Sequence, residues 1–496
     1  MARIAKVIDL PSIVKLNKAE GQIGAQLIQI LREAVQQGDL QAGDPLPSSR
    51  ELAQTLGIAR GTIIEVYDQL IAEGVLEARA RQGTFVSHAL KSPNLPAASS
   101  QSIDTESLTD AARTYTEIFK EFKPLAHRPF AISVPTGRTQ PSDAWRKFGN
   151  RFRARGAAAP SGYDDPQGVY ALRSAIADYV RRSRSVQCEP EQIVITSGIQ
   201  QALYLCSQIL FTKHDVVWIE DPAYRGTTAI LENSLHQLQI NRVPVNEDGI
   251  LVQKGIDLAP QARAAFVTPS HQYPLGMPMS LARRTELVAW AKQQRAWIVE
   301  DDYDSELRYT GQPFPALQAM APDQVIYLGT FSKVLFPSLR LGYAVLPKVL
   351  VAPFCGLRAL IDRHPPSADQ HVLAAFIQEG YLERHIRRIR NVYAENRQLI
   401  IQLIDRYIPK THAFIESGDQ GMHMVLWLAA PADDLKIAQT AVEAGVSIKA
   451  VSPTFSEARK RSGLILGLGD FDLLQIENAI KTLAQIIRQH LQLMRR

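Results

Sequence analysis

Cysteine is scarce: Cys188, Cys206 and Cys355 are the only three in 496 residues. Their scatter excludes a disulfide framework and offers no metal-ligand spacing, so no metal is expected and a reducing compartment, the cytoplasm, is. Long apolar runs are missing as well. None approaches the ~18 residues of a membrane span. Residues 1–10 mix charged and apolar side chains without the apolar core of a signal peptide. A strong charge of one sign is also lacking. The net charge is +5, and residues 1–90 carry nine Lys/Arg against ten Asp/Glu, a net of −1. Basic composition therefore argues nothing for nucleic acid, and any such case must rest on arrangement.

What is present is an ordinary globular composition, 46% apolar and 21% charged, in a chain too long for one hydrophobic core. Three textures follow one another. Residues 22–86 alternate short amphipathic helices with turn signals. Residues 91–104, KSPNLPAASSQSID, read as a flexible linker, and a helical pattern over 105–122 closes at Pro124. From 126 onward apolar runs alternate with helical patterns, the sign of a mostly parallel sheet covered by helices. The runs read as strands are 193–196, 216–219, 265–268, 297–300, 325–328 and 341–346. After 411 come strand pieces at 422–428 and 464–468 and a final helix over 473–493, a small α+β subdomain. The expected division is 1–88, a linker 89–125, and 126–496.

In the first segment, Ile23, Leu27, Ile30, Leu31, Ala34 and Val35 recur at helical spacing up to Gly38. Ser48-Ser49-Arg50-Glu51 is a capping box that opens a second helix carrying Leu52, Ala53 and Leu56. Gly57-Ile58-Ala59-Arg60 is the turn to a third, over 60–73, with Ile63, Tyr67, Leu70 and Ile71 inward. This is a helix-turn-helix, and 76–86, interrupted at Gln82-Gly83, makes a hairpin wing. Ser49 and Arg50 open the second helix, and Arg60 and Thr62 open the third at the end that enters a major groove. Arg79 and Arg81 lie on the wing beside Gly83, where backbone can approach a sugar-phosphate edge.

The string LPSSRELAQTLGIARGTIIEVYDQLIAEGVLEARARQGTFV resembles the winged helix of GntR-type regulators. The resemblance implies double-stranded DNA as partner and Arg50, Arg60, Thr62 and Gly83 as DNA-facing residues; Ser49 at the second helix start and Arg81 on the wing complete the candidate set. One departure is Ala59, where that family usually has Ser. The weak net charge makes a dimer on two half-sites the natural remedy.

Beyond the linker, Gly329-Thr330-Phe331-Ser332-Lys333 follows an apolar run, and Arg340 lies seven residues on. A lysine that can form a Schiff base, next to donors for a phosphate, is what pyridoxal phosphate requires. Glu300-Asp301-Asp302-Tyr303-Asp304-Ser305-Glu306 ends another run and supplies a carboxylate for the pyridine nitrogen and a phenol for ring O3′. Gly198, Ile199 and Gln200 form a strand-to-helix turn whose free amides suit the phosphate. Tyr224 either stacks on the ring or is a core aromatic, and a turn-rich loop brings His271 toward O3′.

Together these motifs resemble fold-type I aminotransferases, closest to the aminotransferase-like domain of MocR-type regulators, a GntR subgroup. The resemblance implies Lys333 as the Schiff-base lysine, Asp301 as the pyridinium partner with Asp302 as alternative, Tyr303 as the O3′ donor, and Ser332 with Arg340 as phosphate anchors. It also implies a homodimer. Aminotransferases carry an Arg in a late strand to hold the substrate carboxylate. The stretch 463–469 has none, though Arg459 and Arg461 lie just upstream. Two readings follow: a regulator sensing a small amine, an amino acid or pyridoxal phosphate, or an aminotransferase with an accessory DNA-binding module.

Overall fold

A computed structural model describes residues 16, 17, 19, 21–88, 108–123, 126–141, 143–154, 162–416, 418–430, 432–456 and 460–493. The chain divides into two units, Met1–Thr114 and Tyr115–Arg496. The expected linker 91–104 lies outside the described residues, and so does the start of the expected 105–122 helix, whose described part is Asp110–Glu121.

In the first unit, helices Ile23–Gln37, Ser49–Leu56 and Arg60–Ala72 precede β1 (Leu76–Arg79) and β2 (Gly83–Val86). The first two helices stop at Gly38 and Gly57, both in the left-handed conformation that glycine adopts without strain. The Ser48 hydroxyl caps the second by accepting from the Glu51 amide at 3.2 Å. The third has Ala59 at its N-cap and no side-chain cap. Leu27, Leu31, Leu52, Ile63, Leu70, Leu76 and Val86 close a small core. Burying each such side chain is worth about 1.5–3 kcal/mol.

The second unit runs through β3 (Ile193–Thr196), β4 (Val216–Asp221), β5 (Gln239–Asn246), β6 (Gly249–Ile250), β7 (Ala264–Val267), β8 (Trp297–Asp302), β9 (Val325–Thr330) and β10 (Gly342–Val345). These form one sheet in the order β3-β10-β9-β8-β7-β4-β5-β6. Strands β9, β8, β7, β4 and β5 pair in parallel, while β10 is antiparallel to both neighbours. Alternate residues serve opposite helical layers: Ile326 and Leu328 join one core cluster, Val325 and Tyr327 two others. A second sheet, β11 (Ala413–Ile415), β12 (His423–Leu428), β13 (Lys449–Ala450) and β14 (Gly463–Gly467), has the order β11-β12-β14-β13. Helix Leu473–Leu493 follows it.

Two differences from the sequence reading have physical causes. Strand β5, QINRVPVN, has no continuous apolar run because it lies near the sheet edge, with only two-residue β6 beyond it. Strands β4, β8 and β9 also continue past their apolar runs, to Asp221, Asp302 and Thr330. Those polar ends stay buried.

Candidate functional site

The carboxyl ends of β3, β8 and β9, with segments from the smaller sheet, surround a cavity of about 410 Å³. This is an ordinary volume for a small-molecule site. Of the residues picked out from sequence, Lys333, Asp301, Tyr303, Ser332, Arg340, Gly198, Ile199, Gln200 and Tyr224 all line it. His271 does not; it stands behind Tyr303.

One part of the cavity is built for an anion. Helix Ile199–Ile209 begins here, N-capped by Gly198 at φ 82, so its first amides and the positive end of its dipole face the cavity. A Cβ on Gly198 would come within 3.2 Å of the Arg340 guanidinium, and a Cβ on Gly342 within 2.8 Å of Gly198 Cα. Both glycines permit this close approach. Arg340 donates to the Ser197 carbonyl at 2.6 Å and holds a left-handed φ of 50. The Ser332 hydroxyl is buried without a hydrogen-bond partner. Gln200 spends its side-chain amide on the Gly226 carbonyl at 3.2 Å.

The pleat of β8 separates two adjacent carboxylates. Asp302 is turned away, ion-paired with buried Arg184 at 2.9 Å and accepting from Ser305 and Tyr327. Asp301 lines the cavity with Oδ1 buried and unpaired. Burial, reinforced by the Asp302 charge, pushes its pKa up to about 7. A cation placed against it would reverse that. Lys333 donates to the Ser133 hydroxyl at 2.7 Å, and burial holds its ammonium below the usual lysine range.

Behind Tyr303 a second layer closes. The Tyr303 hydroxyl lies 3.0 Å from His271 Nδ1, which is also 2.9 Å from Asp304 Oδ1. Asp304 accepts in addition from the Met422 amide at 3.2 Å. His423 packs on the His271 ring, and burial lowers its pKa to about 4, so it stays neutral. The donor set fits pyridoxal phosphate: an unpaired hydroxyl, an arginine and helix amides for the phosphate, an unpaired carboxylate for the ring nitrogen, and a lysine amine.

Sequence reasoning missed Ser133, Lys449 and His423, all cavity-lining. No local motif flags them; each reaches the cavity from a distant part of the chain. Arg461 does not reach in. It pairs with Glu416 at 3.1 Å and lies 3.8 Å over the Trp427 ring. Arg459 is outside the described residues.

In the first unit, Arg50, Arg60, Arg81 and Gly83 are exposed and Ser49 is half-buried. Arg60 Nε donates to Ser49 Oγ at 3.4 Å, joining the two helix starts. Gly83, at φ 111, has open space where a Cβ would stand. Thr62 is half-buried, its methyl 3.5 Å from the Cβ position of Gly24 in the first helix. Arg79 is committed to Glu77 and to the Phe85 ring.

Residues 129–461 match the family "Aminotransferase class I and II" and residues 23–86 "Bacterial regulatory proteins, gntR family". The chain is 34% identical over 466 residues to the probable rhizopine catabolism regulatory protein MocR of Rhizobium meliloti, covering 92% of each. It is 33% identical over 465 residues to the HTH-type pyridoxine biosynthesis transcriptional regulator PdxR of Corynebacterium glutamicum, covering 94% of this chain and 95% of that one. Among solved structures, a kynurenine aminotransferase of Pyrococcus horikoshii is similar with a TM-score of 0.69 at 24% identity, over 78% of this chain and 98% of that one. The α-aminoadipate aminotransferase LysN of Thermus thermophilus gives 0.70 at 24%, over 78% and 99%. At such identities the likeness to these enzymes is one of fold.

Proposed function

Because the chain belongs to the MocR-type branch of the GntR regulators, and is a pyridoxal-phosphate-dependent, DNA-binding transcription regulator, we propose that its larger unit senses a small amine, an amino acid or pyridoxal phosphate itself and conveys the result to the winged helix. The division follows the sequence reading: DNA-binding unit 1–88, linker 89–125, sensor 126–496. The working form is a homodimer in the cytoplasm.

One observation carries this reading: Asp301 and Ser332, buried and unpaired, meet Lys333 in one cavity. When bound, the cofactor supplies an aldehyde that condenses with primary amines and a ring that withdraws electrons. Lys333 is the amine that would attach to it, its ammonium disfavoured by burial and its side chain positioned by Ser133. Ser332, Arg340 and the amides at 198–200 would hold the phosphate. Asp301 would hold the ring nitrogen protonated, Tyr224 would offer the ring a stacking face, and Tyr303 would donate to its oxygen, with His271 and Asp304 fixing the phenol. The DNA-facing groups are Ser49, Arg50, Arg60, Thr62, Arg81 and Gly83.

The regulator reading is preferred to the enzyme because β14 carries no arginine and Arg461 is engaged elsewhere. Productive orientation of a substrate can supply about 7–11 kcal/mol of a barrier. Displacement of Lys333 by an effector amine would not need that orientation, and differential contacts would then shift the state of the sensor. The test is the absorption spectrum of cofactor-treated protein, followed with operator affinity while amines are added. An effector should shift both, with transamination slow. Rapid multiple-turnover conversion of an amino acid and a keto acid would restore the enzyme.

A further inference from the structure

The charge lining the cavity is unbalanced. Four cations face it, Lys123, Lys333, Arg340 and Lys449, against one carboxylate, Asp301. His423, held neutral by burial, adds nothing at physiological pH. In the reading above, Arg340 is matched by the cofactor phosphate, Asp301 by the ring nitrogen, and Lys333 by attachment. Lys123 and Lys449 then remain as uncompensated positive charge.

Of these two, Lys449 is built into the sheet. It lies on β13, directly opposite Ile465 of β14. Among the described residues its side chain has no hydrogen bond or ion pair. The carboxylate that most influences it, Glu121, is already bound to Arg225 at 2.6 Å. Burial also lowers its pKa, although the side chain keeps access to solvent, as expected at a cavity mouth. An ammonium at the cavity mouth that has no counter-ion of its own is an available anchor for an anion.

We propose that Lys449 holds a carboxylate of the effector, so that the sensed ligand is an amine that also carries a carboxylate, an amino acid, in preference to a simple amine. This rests on the sensor reading of the same cavity. The lysine does what β14 cannot, from the neighbouring strand.

The test uses full-length protein loaded with pyridoxal phosphate. Its visible band is titrated with alanine, β-alanine and 4-aminobutyrate, and with ethylamine and propylamine, the latter two's decarboxylated counterparts. Wild type should respond to an amino acid at concentrations roughly 10- to 100-fold below those of the matching amine, the range of a charged hydrogen bond. K449Q should erase that preference and K449R retain most of it, with thermal melting reporting whether each variant folds. A preference unchanged in K449Q would overturn the proposal. So would a wild type that prefers the amines, shows no preference or answers none of these probes. If no visible band forms at all, the sensor reading itself has failed, which is a distinguishable result.

Discussion

The two units hold their functional groups in opposite ways. In the smaller, Arg50, Arg60, Arg81 and Gly83 are exposed on a body whose core is only a few side chains deep. In the larger, Asp301 and Ser332 are buried, and the chemistry depends on what they are not bonded to. A DNA-reading surface needs reach and open approach. A cofactor cavity needs desolvated donors waiting for a partner, a state that costs stability until the partner arrives. The same chain therefore carries one face that works by exposure and one interior that works by incompleteness.

That contrast is open to attack, beginning where the effect is largest. K333A should abolish the visible band of cofactor-treated protein and with it the spectral response to amines. A surviving band would mean that attachment runs through another group. R50A and R60A should each weaken operator binding by about 1–3 kcal/mol per half-site if the contact is to a base, and leave the band intact. Gel shifts as tight as wild type in both variants would remove them from the DNA face.

A subtler experiment concerns protons. In the cofactor-free protein Asp301 has its pKa raised from the ordinary carboxylate value of 3.8 to about 7. The folded state thus binds a proton that the unfolded chain has released. Its stabilising contribution is complete below pH about 4 and lost as pH rises to about 7. Relative to D301N, wild type without cofactor should lose stability across that window in chemical denaturation. A constant difference would show that Asp301 is not a buried, proton-holding group. The smallest effects lie at the helix starts of the DNA unit. S48A should lose, and A59S gain, about 0.5–2 kcal/mol of that unit's stability. A neutral A59S would mean that water already satisfies the amides that Ala59 leaves free.

Much of the molecule was legible in sequence because its signals are local. The helix-turn-helix is set by Gly38, Ser48 and Gly57, and the last helix, Leu473–Leu493, coincides with its apolar pattern. Lys333, Asp301 and Gly198 were legible because strand ends mark α/β sites. The choice between Asp301 and Asp302 was not, since adjacent strand residues face opposite sides and only the partner Arg184, 118 positions away, distinguishes them. Ser133 reaches Lys333 across 200 positions. His271 was expected beside the ring oxygen and instead stands behind Tyr303, because Asp304 draws its Nδ1.

Gly467 constrains any re-engineering of this scaffold. The end of β14 is pressed against the chain at 130–131, and the Gly467 amide donates to the Phe130 carbonyl at 2.9 Å. Any side chain there would begin within van der Waals overlap of the Ala131 carbonyl oxygen. An arginine clamp for transaminase conversion is thus barred at that position unless the backbone moves. Position 449 already carries a long cationic side chain, and a guanidinium there asks for no new room at the root. A designer seeking turnover from this protein would start from the edge strand and leave β14 alone.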